Sequence, residues 1–224
     1  LNIGLNEPLY GQAAFQDFKF PEISSEYPQA PLPDFSLLSG KKIMVLVGQM
    51  DPNPALAFQL ALFAKYSNVV VLVENTSNLQ HELFNACIDR SLNGFDAADP
   101  NYQPDVLISL GGAIVSKRIK AYLRQTPLQL HWRLASDFPD MNTFGLLSAC
   151  LPINPSLFFK EILAEDLPLN SINFQGKWKA LDYSAKDQQA LFETAADTLF
   201  DYDIFAALQQ VLPNAFTLHL ANSS

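Results

Sequence analysis

Three adjacent residues with chemically useful side chains, Ser116, Lys117 and Arg118, follow a glycine pair, Gly111-Gly112, near the middle of the chain. The glycines end an apolar run, and the three polar residues fall in the first turns of a predicted helix. Cations there oppose the helix dipole and cost roughly 0.3 to 1 kcal/mol each. Backbone N–H groups, a hydroxyl, an ammonium and a guanidinium together suit a carboxylate or phosphate. A solvated helix face without a ligand is the alternative interpretation, which the pattern leaves open.

The elements around this segment alternate between buried strands and helices. Strands are predicted at residues 42–48, 68–74, 105–112, 128–135 and 143–151, and helices at 55–66, 79–90, 113–125 and 155–166. Strands that are apolar on both faces and separated by helices are typical of a parallel sheet covered on both sides. We therefore predict an α/β fold, a doubly wound, mainly parallel, Rossmann-like sheet with helices on both faces. Such sheets bind ligands at the carboxyl ends of their strands.

The ends of the chain differ in composition from its centre. Five prolines among the first 40 residues predict an extended N-terminal connector, and a second connector is predicted at 166–184. A helix is then predicted at 188–212 and a strand at 215–222, too little to form a core alone. The predicted division is 1–40 interdomain connector, 41–184 central Rossmann-like domain, and 185–224 opening helix and strand of a truncated further domain.

Composition excludes several classes of protein. The chain has 224 residues, 49% of them hydrophobic, and a formal net charge of −9, which argues against nucleic acid or an anionic membrane as a partner. No apolar stretch approaches the roughly 18 residues of a membrane span, and no export signal is visible, so a cytoplasmic location is expected. Cys87 and Cys150 lie in apolar runs and are expected to be buried, reduced thiols.

Metal and dinucleotide chemistry find little support in the residues. His81, His131 and His219 show no metal-ligand spacing, and no nucleophile elbow, P-loop or zinc-protease motif occurs. The first predicted strand runs into one glycine, Gly48, followed by Asp51 and prolines. A dinucleotide needs a glycine-rich turn with free N–H groups at this position, so the loop argues against a bound dinucleotide.

The segments SLGGAIVSKRIKAYLR (109–124) and LHWRLASDFPDMNTF (130–144) resemble the central domain of the 2-succinyl-5-enolpyruvyl-6-hydroxy-3-cyclohexene-1-carboxylate synthase family of menaquinone biosynthesis. The family has a Ser-Lys-Arg-like step, a His-Trp-like pair and an Asp-Thr-Phe-like step, the last replaced here by Asn142-Thr143-Phe144. The N-terminal EPLY and the C-terminal LPNAFTLHLANSS are similar to the family's segments at the two domain junctions. The resemblance covers nearly the whole chain.

The resemblance implies a thiamine diphosphate-dependent transferase that decarboxylates 2-oxoglutarate and adds the four-carbon carbanion to isochorismate. It implies that Lys117 and Arg118 bind a substrate carboxylate, with Ser116 as a weaker candidate or a helix cap. It also implies that Asn222 and Ser223 match an Asn-Ser step whose serine contacts substrate. No catalytic residue is expected within this chain.

The resemblance places the cofactor outside this chain. Thiamine diphosphate and Mg²⁺ (or Mn²⁺) are expected in the full-length enzyme, where a GDG motif followed by Asn holds them; no GDG occurs here. The chain alone is therefore expected to bind no cofactor and to have no turnover. Flanking domains and a full-length homo-oligomer are the expected partners. Two alternatives stay open: a stand-alone Rossmann-like nucleotide-binding domain, and a structural or regulatory module that bridges the outer domains.

Overall fold

The computed structural model describes residues 31–138, 141–195 and 201–213, and its centre is one six-stranded parallel sheet. The strand order is β3-β2-β1-β4-β5-β6. The strands are β1 (Ile43–Val47), β2 (Val69–Val73), β3 (Phe84–Asn85), β4 (Val106–Leu110), β5 (Leu130–Leu134) and β6 (Ala149–Leu151). The helices are α1 (Pro54–Phe63), α2 (Ile88–Ser91), α3 (Lys117–Gln125), α4 (Pro155–Ala164), α5 (Phe174–Ala195) and α6 (Asp201–Val211), with 3₁₀ turns at Phe35–Leu38 and Asn75–Ser77.

The sheet is buried on both faces because its central strands β1, β2 and β4 are apolar at every position except Ser109 of β4. In β1, Val45 packs into one hydrophobic cluster with residues of α1 and α4. The next residue, Leu46, packs into a second cluster on the opposite face with residues of α3 and α5. This alternation follows from the two-residue period of a strand. The predicted doubly wound α/β fold is confirmed.

The central strands end level with one another, which places three loops at one edge of the sheet. Val47 of β1 is in register with Val73 of β2 on one side and with Leu110 of β4 on the other. The chain therefore leaves these strands at neighbouring points of the carboxyl edge. Glu74 is the first residue after β2, and the Gly111-Gly112 pair directly follows β4.

The helix predicted at 79–90 is wrong. Residues 84–85 form the short strand β3, which pairs with β2 through Val71 and Phe84, and only Ile88–Ser91 are helical. Asn78 has a left-handed φ of 55°, so the chain is not helical where the predicted helix would begin. Phe84, in the two-residue strand at the edge of the sheet, is buried. The strand forms through pairing with β2, which lies outside the segment itself, so the composition of residues 79–90 does not reveal it.

The connector predicted at 166–184 is wrong in its second half. The helix α5 begins at Phe174 and continues through residue 184, the expected domain boundary. Phe174 and Trp178 are fully buried, and the Trp178 indole N–H donates to the Tyr102 carbonyl at 3.1 Å. The helix predicted at 188–212 is covered by the end of α5 and by α6, with 196–200 outside the described residues. The predicted strand at 215–222 and most of the predicted N-terminal connector also lie outside them.

The two cysteines differ from the expectation. Both are free thiols. Cys87 is exposed, because it lies in the loop between β3 and α2 and not in a helix. Cys150 is half-buried in β6, and its thiol donates to the Ala135 carbonyl at 3.4 Å. The prediction of a buried thiol is therefore wrong for Cys87, whereas Cys150 is partly buried.

Candidate functional site

The start of α3 lies where the sequence placed the candidate site, four residues later than the predicted helix start. Gly111 has a φ of 78°, a left-handed conformation that favours glycine, and it turns the chain away from β4. Ser116 is the N-cap of α3, and its Oγ accepts from the Ile119 N–H at 3.1 Å. Ser116 therefore acts as the helix cap that the sequence analysis named as an alternative to ligand binding.

The backbone N–H groups at the start of α3 already have an acceptor within the chain. Glu74, directly after β2, accepts from the Val115 N–H at 2.8 Å through Oε2 and from the Ser116 N–H at 2.7 Å through Oε1. The Ser116 hydroxyl also donates to the carboxylate of Asp89. The expectation that free N–H groups and a hydroxyl converge on a ligand is therefore wrong for Val115 and Ser116. Sequence reasoning missed Glu74 because 41 residues separate it from Val115.

Lys117 and Arg118 are exposed at the first two positions of α3. The Arg118 guanidinium donates to the side-chain carbonyl of Asn93, which follows α2. The Lys117 ammonium makes no hydrogen bond or ion pair within the described part of the chain. Two cations with an accessible surface are thus present at the carboxyl edge. Asn222 and Ser223 lie outside the described residues.

The crevice between β1 and β4, where the strand order reverses, is filled by backbone. The Gly112 N–H donates to the Gln49 carbonyl at 2.6 Å. A Cβ added at Gly48 would lie 2.5 Å from the Gly112 carbonyl oxygen, so only glycine permits this approach. Phosphates of dinucleotides bind at this point of the fold class. The glycines here bring two loops together and do not open a phosphate cradle.

A cleft of about 250 Å³ lies at the carboxyl ends of β4 and β5, and sequence reasoning did not single it out. Arg133 lines it with only 11% of its side chain exposed, and its Nη1 donates to the carbonyls of Asp137 at 2.6 Å and Phe138 at 3.0 Å. Its Nη2 lies 3.1 Å from Asp137 Oδ1. Arg133 is therefore occupied in holding the loop after β5.

His131 lies beside Arg133 and is almost fully buried. Its Nε2 is 2.8 Å from Ser109 Oγ, while its buried Nδ1 has no hydrogen-bond partner among the described residues. Burial, together with the smaller effect of the positive charge of Arg133, lowers the pKa of His131 to about 4. The imidazole is consequently neutral near pH 7. No sequence pattern distinguishes this histidine from the exposed His81.

The described residues do not fit thiamine diphosphate or its metal ion. Within residues 31–138, 141–195 and 201–213, no three His, Cys, Asp or Glu side chains are close enough to hold a metal. The crevice that accepts phosphates in this fold class is closed by Gly48 and Gly112. No helix in residues 31–138, 141–195 and 201–213 is long and apolar enough to cross a membrane.

Comparison with known proteins identifies the class of domain. The chain matches, over residues 24–220, a protein family described as the middle domain of thiamine pyrophosphate enzymes. It is 32% identical to the 2-succinyl-5-enolpyruvyl-6-hydroxy-3-cyclohexene-1-carboxylate synthase of Flavobacterium psychrophilum over 100% of this chain and 41% of that protein. The synthase of the same name from Flavobacterium johnsoniae is 35% identical over 83% of this chain and 33% of its own length.

A more distant relative also matches the whole of this chain. The synthase of the same name from Porphyromonas gingivalis is 26% identical over 100% of this chain and 41% of its own length. The match thus spans between a third and about two fifths of the length of these curated relatives. The parallel doubly wound sheet agrees with a middle domain of this kind. The chain belongs to the family of thiamine pyrophosphate middle domains.

Proposed function

We propose that this chain is the central part of a thiamine diphosphate-dependent 2-succinyl-5-enolpyruvyl-6-hydroxy-3-cyclohexene-1-carboxylate synthase of menaquinone biosynthesis. The complete enzyme decarboxylates 2-oxoglutarate and adds the resulting four-carbon carbanion to isochorismate. The observation that carries the proposal is the match along 100% of this chain to synthases of that name, together with the middle-domain match over residues 24–220. The proposed location is the cytoplasm.

The cofactor supplies the chemistry of decarboxylation and carbon–carbon bond formation, and the proposal assigns none of it to this chain. Thiamine diphosphate and Mg²⁺ (or Mn²⁺) are held by the flanking domains. The chain alone then has no turnover. Residues 185–224 are proposed as the opening of a cofactor-binding domain, although 185–195 belong to the helix that begins at Phe174. The complete protein is proposed to be a homo-oligomer.

Within this division of work, Lys117 and Arg118 bind a carboxylate of the acidic substrates. Both side chains are exposed at the positive end of α3, at the edge of the sheet where ligands bind in this fold class. The Val115 and Ser116 N–H groups are already bonded to Glu74, so the grip comes from the side-chain cations. Arg118 exchanges its hydrogen bond to Asn93 for the substrate, which offers a charged acceptor in place of a neutral one.

The remaining candidates have smaller or separate roles. Ser116 contributes by capping α3 and is not assigned a contact to substrate. Asn222 and Ser223 are proposed to contact substrate from the following domain, on the family resemblance. The roles of Ser116, Asn222 and Ser223 do not affect the test of Lys117 and Arg118, because each of the two cations can be substituted while the other residues are unchanged.

The experiment is single substitution of the two cations in the complete synthase, meaning the polypeptide with its flanking domains. Lys117→Ala and Arg118→Ala are each expected to lower kcat/KM for an acidic substrate, with a loss of about 2 to 4 kcal/mol of transition-state stabilisation and unchanged cofactor affinity. Lys160→Ala is the matched control, because Lys160 is an exposed cation on α4. An unchanged kcat/KM in both site variants would remove the pair from the substrate site.

The expected division of work has its own test. Calorimetry of this chain with thiamine diphosphate and Mg²⁺ should show no binding at micromolar concentration, whereas the complete synthase should bind. Micromolar binding by the chain alone would contradict the placement of the cofactor in the flanking domains.

A further inference from the structure

The segment that joins β4 to α3, residues 111–116, is held by contacts to two other loops at the carboxyl edge. The Gly112 N–H donates to the Gln49 carbonyl at 2.6 Å, and the Gln49 N–H donates to the Ala113 carbonyl at 3.3 Å. These two bonds tie the first half of the segment to the loop after β1. The second half, which leads directly into Lys117, is tied to Glu74 by three N–H···O contacts of 2.7 to 3.0 Å.

Glu74 is well placed to transmit rigidity to the start of α3. It directly follows β2, whose five residues are all buried and which pairs with strands on both sides. Its two carboxylate oxygens share the donors: both lie within 3.0 Å of the Val115 N–H, and Oε1 alone accepts from the Ser116 N–H. Two adjacent N–H groups bound to one carboxylate leave little freedom for the peptide plane between them. The orientation of α3 at Ser116, and of the residue after it, therefore depends on Glu74.

No acidic residue of α3 itself could replace this contact. The first turn of α3 carries no acid and begins with two cations, Lys117 and Arg118. A helix start normally gains from a nearby negative charge and loses from a positive one. Glu74, the residue directly after β2, supplies the missing negative charge at the start of α3. The cations can then remain at the helix start without the helix unwinding around them.

The same contact excludes a competing role for the helix N-terminus. A substrate carboxylate cannot bind the Val115 and Ser116 N–H groups while Glu74 occupies them. Asp89 accepts from the Ser116 hydroxyl and closes the same position from the side of α2. An anion at the start of α3 can therefore bind only to side chains that follow Ser116, such as those of Lys117 and Arg118.

We propose that Glu74 is a positioning residue of the substrate site: its carboxylate fixes Val115 and Ser116 so that Lys117 is presented to the substrate carboxylate. This inference rests on the proposed function of Lys117. Glu74 does not touch the substrate, and its effect is transmitted through the backbone of the helix start. It acts on substrate binding and not on the chemical step.

The experiment compares Glu74→Gln with Lys117→Ala in the complete synthase. Glutamine keeps the shape but removes the negative charge and one acceptor oxygen. Its amide nitrogen would face an N–H donor, so at least one of the three N–H···O contacts is lost and the others are weakened. We expect KM for the acidic substrate bound by Lys117 to rise about 5- to 20-fold, with kcat within about twofold of the parent. Hydrogen exchange of the Val115 and Ser116 amides should accelerate about tenfold or more, while the amides of β2 stay protected.

Glu165→Gln is the matched control, since Glu165 is an exposed glutamate at the end of α4. It should change neither KM nor the exchange of the two amides. Glu74→Asp keeps the charge on a shorter side chain and should fall between the parent and Glu74→Gln in both measurements.

The outcomes separate this inference from the proposed function. If Lys117→Ala raises KM and Glu74→Gln does not, the positioning role is wrong and the role of Lys117 stands. If Lys117→Ala leaves kcat/KM unchanged, both the role of Lys117 and the positioning role of Glu74 are wrong. A fall in kcat at constant KM in Glu74→Gln, measured per mole of folded enzyme, would place the effect on the chemical step and would overturn the positioning role. A lower KM would show that Glu74 competes with the substrate, which also overturns it.

Discussion

Two places at the carboxyl edge of the sheet carry cations, and the chain treats them in opposite ways. Arg133, at the edge of β5, is 11% exposed and donates to two backbone carbonyls and to Asp137. Lys117 and Arg118, at the start of α3, are exposed and bonded to no carboxylate within the described residues. The two acids near the α3 start, Glu74 and Asp89, are instead bound to its backbone and to Ser116.

The difference shows that a cation at a ligand-binding edge need not be part of a ligand site. Arg133 uses its donors within the protein, so removing it should cost stability. Lys117 has none of its donors in use within the described part of the chain, so removing it should cost little stability and should affect only a bound partner. The acids of the α3 start contact backbone and hydroxyl groups, which leaves the charge of Lys117 available. The comparison therefore separates a cation whose donors are used within the protein from one whose charge is available to a partner.

The largest expected effect on stability is that of Arg133→Ala. The substitution removes the hydrogen bonds to the Asp137 and Phe138 carbonyls and the ion pair with Asp137. Phe138 has a φ of 45°, an unfavourable conformation for a large side chain, so the loop relies on these contacts. We expect a loss of about 2 to 3 kcal/mol in the free energy of unfolding, measured by urea denaturation of the complete protein.

The control for this prediction is Arg124→Ala. Arg124 is exposed and makes one hydrogen bond, from Nε to the Thr143 carbonyl at 3.1 Å. Its removal should cost less than about 1 kcal/mol. Equal losses in the two variants would show that Arg133 is not the structural cation described above.

The next largest effect is a dependence of stability on pH that originates at His131. Burial lowers the pKa of this imidazole to about 4, below its ordinary value of 6.5. Between these two values the unfolded chain binds a proton that the folded chain does not, so stability falls as the pH is lowered from 6.5 to 4. The slope contributed by one such group is at most about 1.4 kcal/mol per pH unit. It is measured by urea denaturation at several pH values.

His131→Gln should lower stability at pH 7 but flatten its dependence on pH in this window. His81→Asn serves as the control, because His81 is exposed, and it should leave the slope as it is. A slope that is the same in the His131 variant and in the parent would contradict the assignment to His131.

How much of this could be predicted from the sequence depends on how local each interaction is. The strands β1 and β2 are continuous apolar runs, and β4 is interrupted only by Ser109. The helix α1 has Asn53 as its cap and Pro54 in its first turn. The sequence therefore predicts each of these elements to within a few residues. The strand β3 and the start of α5 were missed. Phe84 pairs with the preceding strand β2, and Trp178 bonds to Tyr102, 76 residues away, so neither interaction is visible in the local sequence.

The site shows the same limit. The Ser116-Lys117-Arg118 step was found because the residues are adjacent and follow two glycines. Glu74 was not found, since its partners are 41 and 42 residues away, and an isolated glutamate after a strand has no distinctive pattern. The buried state of His131 was equally hidden. The sequence of a strand indicates that its side chains alternate between the two faces of the sheet, but it does not indicate which loop covers a given side chain.

The role of Lys117 and Arg118 is decided by the preference of the complete synthase for acidic substrates. It compares the parent with the Lys117→Ala, Arg118→Ala double variant, using 2-oxoglutarate against 2-oxopentanoate, which lacks the second carboxylate, and isochorismate against its monomethyl ester. If the two cations bind a substrate carboxylate, the double variant loses most of the parent's preference, in kcat/KM, for the doubly charged compound of at least one pair. A double variant that keeps the parent's preference in both pairs would contradict that role.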